Sequence, residues 1–251
     1  MRVLAIDAGN SRMKWGLHEG GSWLVQGWAK TAQASRLARA WSALERPDAV
    51  IAANVAGARV ERSIAAAARR FRRRVRFVKG ARSGWGIKSA YADPAQLGPD
   101  RWAALIGARG LHRGPCVVVN AGTTMTVDAL TADGVFLGGM IVAGADLMRE
   151  SLTRKTARLR PQRGNFVFFP ARTADAIESG TINALAGAVE RMLRFMEEAG
   201  QAEPLTLVSG GAAQLVAPHL NGAVEVVDNL VLEGLVRIAL EREPLAVGSQ
   251  R

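Results

Sequence analysis

The stretch Val3–Leu17, VLAIDAGNSRMKWGL, decides how the rest of the chain is read. Val3, Leu4, Ala5 and Ile6 form a short apolar run of the kind that makes a buried strand, and the run stops abruptly at Asp7 and Gly9. A carboxylate therefore stands where the strand leaves the core. Gly9 lets the backbone turn tightly or approach a ligand, Asn10 and Ser11 offer small polar groups, and Lys14 adds a cation able to neutralise phosphate. Together these are the parts of a phosphate pocket.

The layout returns 113 positions later, counting from Asp7 to Asn120. Cys116–Leu130 reads CVVVNAGTTMTVDAL, and Asp7, Ala8, Gly9, Asn10 and Ser11 line up with Asn120, Ala121, Gly122, Thr123 and Thr124. Two strand-to-turn units of this kind suggest duplicated half-domains facing each other over a central cleft, with a nucleotide's phosphates gripped from both sides. A third small-residue turn, Ser209–Ala213, follows another apolar run and leaves room for a flat adenine against the backbone.

Between the two turns, strand and helix signals alternate, which gives an α/β class. Trp15–Leu17 and Trp23–Trp28 read as strands joined by the hairpin turn Glu19-Gly20-Gly21-Ser22, and antiparallel strands after a phosphate turn suit an RNase H-like half-domain. Helical spacing covers Ser35–Leu44 and Val60–Arg74, with strands at Ala49–Ala53 and Val75–Val78. The second half continues with strands at Val127–Leu130 and Val135–Ile141, a helix over Asp146–Leu159 and an apolar stretch at Asn165–Phe169. A long helix over Ala174–Ala199, interrupted near Gly180 and Thr181, precedes strands at Leu205–Val208 and Val224–Val227 and a last helix over Asp228–Leu240. Gly114-Pro115 separates the halves, so the expected domains are 1–114 and 115–251, both RNase H-like.

Composition narrows the class. With 251 residues, 49% hydrophobic and 22% charged, the chain can bury substantial cores and is far from disorder. No run approaches the ~20 apolar residues that cross a bilayer, and the N-terminus does not read as a signal peptide, so a cytoplasmic protein without a membrane partner is expected. The single Cys116 sits in an apolar strand and reads as a small core residue. A formal net charge of +11 raises nucleic acid as a partner. The basic residues cluster at Arg69, Arg70, Arg72, Arg73, Arg74, Arg76 and Lys79 and again at Arg149, Arg154, Lys155, Arg158, Arg160 and Arg163, without zinc spacing or a recognition-helix signature. They read as a solvated face, and nucleic acid is not the expected partner. His18, His112 and His219 are too scattered for a metal site, and the six tryptophans read as core or interface.

Tyr91–Arg101, YADPAQLGPDR, is turn-rich and leads into a helix at Trp102–Leu111. Asp100 suits a helix cap, and capping alone explains it. Arg101 is less easily explained, because a cation at a helix N-terminus opposes the dipole; an anionic partner would account for it.

In this order and at these separations, IDAGNSRMKW, LGPDRW, NAGTTMTVD, GGMIVAGADLM, SGTINALAGA, SGGAA and NLVLEGL closely resemble type III pantothenate kinase, a member of the acetate and sugar kinase/Hsc70/actin superfamily. The resemblance runs from Leu4 to about Leu240. It implies two RNase H-like, actin-like ATPase domains around a central cleft, a homodimer, and ATP-dependent phosphorylation of pantothenate, the first step of coenzyme A biosynthesis. It places ATP at Asp7, Ala8, Gly9, Asn10, Ser11, Arg12, Met13 and Lys14, with Thr123 binding the nucleotide as well. Asp7 would organise Mg²⁺ or another divalent cation, through water. Pantothenate would touch Tyr91, Gly98, Pro99, Asp100, Arg101 and Thr181, with Asp100 the general base and Arg101 the partner of the substrate carboxylate.

Two positions depart from the family pattern. Ser11 stands where Thr is usual and keeps the hydroxyl. Asn120 stands where Asp is usual, and that carboxylate helps hold a monovalent cation, K⁺ or NH₄⁺; a neutral amide is the weaker ligand. Because some relatives were described as accessory factors for transcription and this chain is basic, a nucleotide-binding regulatory protein of the same fold is the alternative function.

Overall fold

Burial follows the apolar runs closely. Val3, Leu4, Ala5, Ile6 and Ala8 are each 0% exposed in the computed structural model, which describes residues 1–155 and 163–241. In chain order the elements are β1 (Val3–Ala8), β2 (Arg12–Glu19), β3 (Ser22–Lys30), α1 (Leu37–Ala40), β4 (Ala49–Asn54), α2 (Ala58–Ala68), β5 (Val75–Phe77), β6 (Ser83–Gly84), β7 (Ile87–Ser89) and α3 (Pro99–Leu111). They continue as β8 (Cys116–Ala121), β9 (Thr124–Leu130), β10 (Val135–Ala143), α4 (Ala145–Lys155), α5 (Thr173–Glu198), β11 (Leu205–Ser209), α6 (Ala213–Val216), β12 (Val224–Val226) and α7 (Leu230–Leu240).

Two units result. One comprises Met1–Leu111 and the segment from Asn229 onward, the other His112–Asp228. In the first unit the strand order is β3-β2-β1-β4-β5, with β1 antiparallel to β2 and parallel to β4. In the second, β10-β9-β8-β11-β12 repeats that order, with β8 antiparallel to β9 and parallel to β11. Three antiparallel strands followed by parallel additions on the other side of the first strand make each unit RNase H-like, and the chain is an α/β duplication.

The expected division at 115–251 differs from this arrangement in one element. The last helix, α7, belongs to the first unit, where it packs against α3 at a crossing stripped of side chains. A Cβ on Gly234 would lie 1.8 Å from the Ala103 carbonyl oxygen, and one on Gly107 would lie 2.5 Å from that of Leu230. Two backbones this close need glycine on both sides.

Each sheet covers its own core. Leu4, Ile6, Met13, Leu17, Val50 and Ile64 cluster with Trp41 and Phe71 in the first unit; Val117, Val119, Val127, Leu185, Val189 and Val208 cluster in the second. Fully burying a side chain of this size stabilises the fold by about 1.5–3 kcal/mol.

Several expectations need correction. The Ser35–Leu44 segment is a 3₁₀ turn over Thr31–Arg36 followed by the four-residue α1, because no side chain caps either start. The helix expected to reach Arg74 ends as α2 and a short 3₁₀ turn, closed by Arg72 at φ 53°. α5 runs unbroken through Gly180, where a Cβ would meet nothing within 4 Å. Asn165–Phe169 has no regular structure, and the Thr156–Leu159 end of the helix expected from Asp146 lies outside the described residues. The short β6–β7 hairpin, which turns on Trp85 and Gly86 at φ 50° and 79°, was not expected.

The Arg-rich segment also has structural work. Arg70 donates to the Ser42 carbonyl (2.8 Å), Arg73 to that of Pro47 (3.2 Å) and Arg76 to that of Ile238 (3.3 Å). Arg158 and Arg160 lie outside the described residues. Among the described residues no helix is long and apolar enough to cross a membrane.

Candidate active site

The β1–β2 turn is built by strand register. Ala8 pairs with Met13 and Asp7 with Lys14, so the carboxylate and the ammonium stem sit on one face, one residue inside the turn. The side chains of Ala8 and Met13 point the other way into the core, both 0% exposed, and only their backbones can meet a ligand. Gly9, Asn10 and Ser11 form the loop, closed by Gly9 N–H donating to the Arg12 carbonyl at 3.1 Å. The Arg12 guanidinium is exposed and stands 5.1 Å from the ring centroid of Trp28, which is itself 60% exposed and so, of the core and interface readings, does not meet the first.

Asp7 is the most perturbed group of the site. Burial, and next the charge of Asp100, push its carboxyl up from 3.8 to about 7, against a downward pull from Lys14. The α3 start thus brings its carboxylate toward the turn. Asp100 Oδ1 accepts from the Arg101 backbone N–H at 2.9 Å, and a Cβ on Gly98 would fall 2.5 Å from that same oxygen, so the position before Pro99 must be glycine for the carboxylate to lie there. Arg101 is 5% exposed, donates from Nη1 to the Tyr91 hydroxyl at 2.9 Å and stacks 5.5 Å from its ring centroid. Arg82 holds the Tyr91 segment by donating to the carbonyls of Tyr91 (2.5 Å) and Ala92 (2.9 Å). The first unit therefore gathers Asp7, Lys14 and Asp100, and separately joins Tyr91 to Arg101.

Among the described residues no three His, Cys, Asp or Glu side chains come together to hold a metal by themselves. Two neighbouring carboxylates suit a hydrated Mg²⁺ that takes its remaining ligands from phosphate oxygens, and its charge would offset the burial and repulsion that raise the Asp7 carboxyl. Beside Lys14 a cleft of about 190 Å³ is lined by Gln26, Trp28 and Asn229 among others, with Asn229 donating to Gln26 Oε1 at 2.7 Å. It is smaller than the ~300 Å³ or more typical of whole-ligand pockets.

In the second unit, Asn120 is the penultimate residue of β8, in register with Thr126 on β9 and Ser209 on β11. Thr123 is exposed on the β8–β9 turn, and its carbonyl accepts from Gly144 N–H at 3.0 Å. A Cβ on Gly144 would lie 2.2 Å from the Gly122 carbonyl oxygen, and one on Gly210, at φ 103°, 2.4 Å from that of Ala121. Thr181 is 4% exposed on α5, a helix tied to α4 by a bidentate Arg149–Glu178 pair at 2.7 and 2.8 Å. No local signal marks Thr31, whose hydroxyl donates to the Gly9 carbonyl, or Gln26 and Asn229 beside Lys14, because each reaches the site from another segment.

Solved structures share the architecture. A chain from Campylobacter jejuni, described as a conserved Baf family transcriptional activator, superposes with a TM-score of 0.62 at 18% identity, covering 93% of this chain and 96% of that one. MreB 5 of Spiroplasma citri bound to AMPPNP superposes with a TM-score of 0.53 at 11% identity, over 93% and 94%. At these identities the likeness is one of fold, and it places the chain among actin-like ATPase and sugar kinase folds. The sequence is more particular: the model of the type III pantothenate kinase family matches residues 3–194. A type III pantothenate kinase of Nitrosospira multiformis is 44% identical over 98% of this chain and 94% of its own length, and one of Aromatoleum aromaticum 46% identical over 95% and 98%. This chain belongs to the type III pantothenate kinase family.

Proposed function

We infer that the protein transfers the γ-phosphoryl group of ATP to the primary hydroxyl of pantothenate, giving 4'-phosphopantothenate in the first step of coenzyme A biosynthesis. The observation that carries the reading is the gathering of Asp7, Lys14 and Asp100 on one unit of a chain from this family. Phosphoryl transfer requires charge neutralisation and in-line placement rather than covalent chemistry, and this set supplies both.

In this reading Lys14 and the backbone of Gly9, Asn10, Ser11 and Arg12 bind phosphate oxygens. Asp7, once ionised, would hold a divalent cation such as Mg²⁺ through water, and that cation would supply charge neutralisation of the triphosphate. Asp100 accepts the proton of the pantothenate hydroxyl, Arg101 pairs with the substrate carboxylate, and Tyr91, Gly98, Pro99 and Thr181 complete that subsite. Thr123 contributes to the nucleotide. With an amide at Asn120 the monovalent cation, K⁺ or NH₄⁺, binds weakly, so activity rises little when K⁺ is titrated into Na⁺- and NH₄⁺-free buffer; a steep K⁺ requirement would contradict this. The protein works as a cytoplasmic homodimer on a small-molecule substrate.

The test is incubation of purified protein with ATP, Mg²⁺ and a panel of small hydroxy acids, with mass detection of products. Phosphate found on pantothenate above all others supports the reading. ATP consumption with another acid preferred, or none with any, overturns it.

A further inference from the structure

Four carbonyls of the first turn are taken up by the protein. The Ala8 carbonyl accepts from Val55 N–H at 3.0 Å and that of Arg12 from Gly9 N–H at 3.1 Å. The other two go to one residue: Thr31 Oγ1 donates to the Gly9 carbonyl at 2.6 Å, and Thr31 N–H donates to the Ser11 carbonyl at 3.0 Å. Thr31 is 9% exposed and opens a 3₁₀ turn, so its N–H is one of the donors that such a turn leaves without an internal partner.

A trans peptide is planar, with its N–H opposed to its C=O. A Gly9 carbonyl fixed on Thr31 therefore turns the Asn10 N–H the opposite way, and a Ser11 carbonyl fixed on Thr31 does the same for the Arg12 N–H. We propose that Thr31 is a positioning residue for phosphoryl transfer: its hydroxyl and amide set the direction of the Asn10 and Arg12 N–H groups that meet the triphosphate. Backbone N–H groups aimed in advance at an anion bind it without reorganising. The second unit makes the contrast, because Gly144 occupies the corresponding place, gives its N–H to the Thr123 carbonyl, and has no hydroxyl to offer Gly122. The proposal rests on the reading that the first turn holds ATP phosphates.

The experiment compares Thr31→Val, which keeps shape and backbone N–H but removes the hydroxyl, with Thr31→Ser, which keeps the hydroxyl. Thr31→Val is expected to raise the ATP KM about five- to tenfold, the worth of one buried hydrogen bond, with the pantothenate KM unchanged. Thr31→Ser is expected to stay within about twofold of wild type. Equal rises in both KM values, no rescue by Ser, or an unchanged ATP KM in Thr31→Val overturns the assignment. Lys14→Met separates the two levels. If its ATP KM is also unchanged, the phosphate reading of the turn fails and Thr31 with it; if that KM rises while Thr31→Val has none of its own, Thr31 alone is refuted.

Discussion

The two strand-to-turn units look alike in sequence and differ by one residue in structure. In the first, Ala8 faces Met13 across the turn; in the second, Ala121 faces Met125, so the second turn is shorter by one position. The carbonyls agree: that of Ser11 takes the Thr31 amide and that of Thr123 takes the Gly144 amide, which makes Ser11 the partner of Thr123 rather than of Thr124. The strand register carries the same shift, placing Asp7 opposite Lys14 in one unit and Asn120 opposite Thr126 in the other. Duplication has kept the scaffold while charge has gathered on one copy. The first turn is fastened by a side chain and flanked by ions, whereas the second is neutral and enclosed by Gly144 and Gly210.

The largest effect is expected at the carboxylate that the second unit lacks. Asp100→Asn should lower kcat by about 10²–10⁴-fold, as for loss of a general base, while nucleotide binding measured by calorimetry is retained. A normal kcat would take Asp100 out of the chemistry. Next comes the register pair. Lys14→Met should raise the ATP KM roughly 10- to 100-fold, the worth of a charge-assisted contact, whereas Thr126→Val at the matching position should change it less than about threefold. Equal effects would erase the distinction between the turns.

Acidity gives a smaller, graded effect. The folded protein holds the Asp7 proton up to about pH 7, whereas an unfolded chain releases it near 3.8. Stability of the ligand-free protein from this group therefore falls as pH rises from about 4 to about 7, then levels, because the folded state binds the extra proton over that window. A cation needs the ionised form, so Mg·ATP affinity moves oppositely: about fivefold weaker at pH 6 than at pH 7, in direct titrations, and independent of pH in Asp7→Asn. The smallest effects concern the glycines of the second unit. Gly144→Ala should cost about 1–3 kcal/mol in urea unfolding, because its Cβ would strike the Gly122 carbonyl, while Gly180→Ala, in open space on a helix, should stabilise by about 0.5–1 kcal/mol.

Local signals made much of this fold legible in the sequence. The run Val3–Ile6 ending at Asp7 and the Gly20-Gly21 hairpin with φ of 58° and 84° are each written within a few residues, whereas α3 begins at Pro99, three residues before the Trp102 start expected. The features that escaped are non-local. The home of α7 depends on Gly107 meeting Gly234, the turn-length difference depends on strand register, and Thr31 reaches Gly9 from 22 positions away. The charged residues of the site were readable by type, while the burial of Asp7 and the added charge of Asp100, which together hold the Asp7 proton, required the fold.

The most direct test is hydrogen–deuterium exchange over Asn10–Lys14 with and without Mg·AMPPNP. If the first turn holds the triphosphate, exchange of the Asn10 and Arg12 amides slows on binding and Lys14→Met abolishes the slowing. Unchanged exchange there, in protein that phosphorylates pantothenate, would contradict the account.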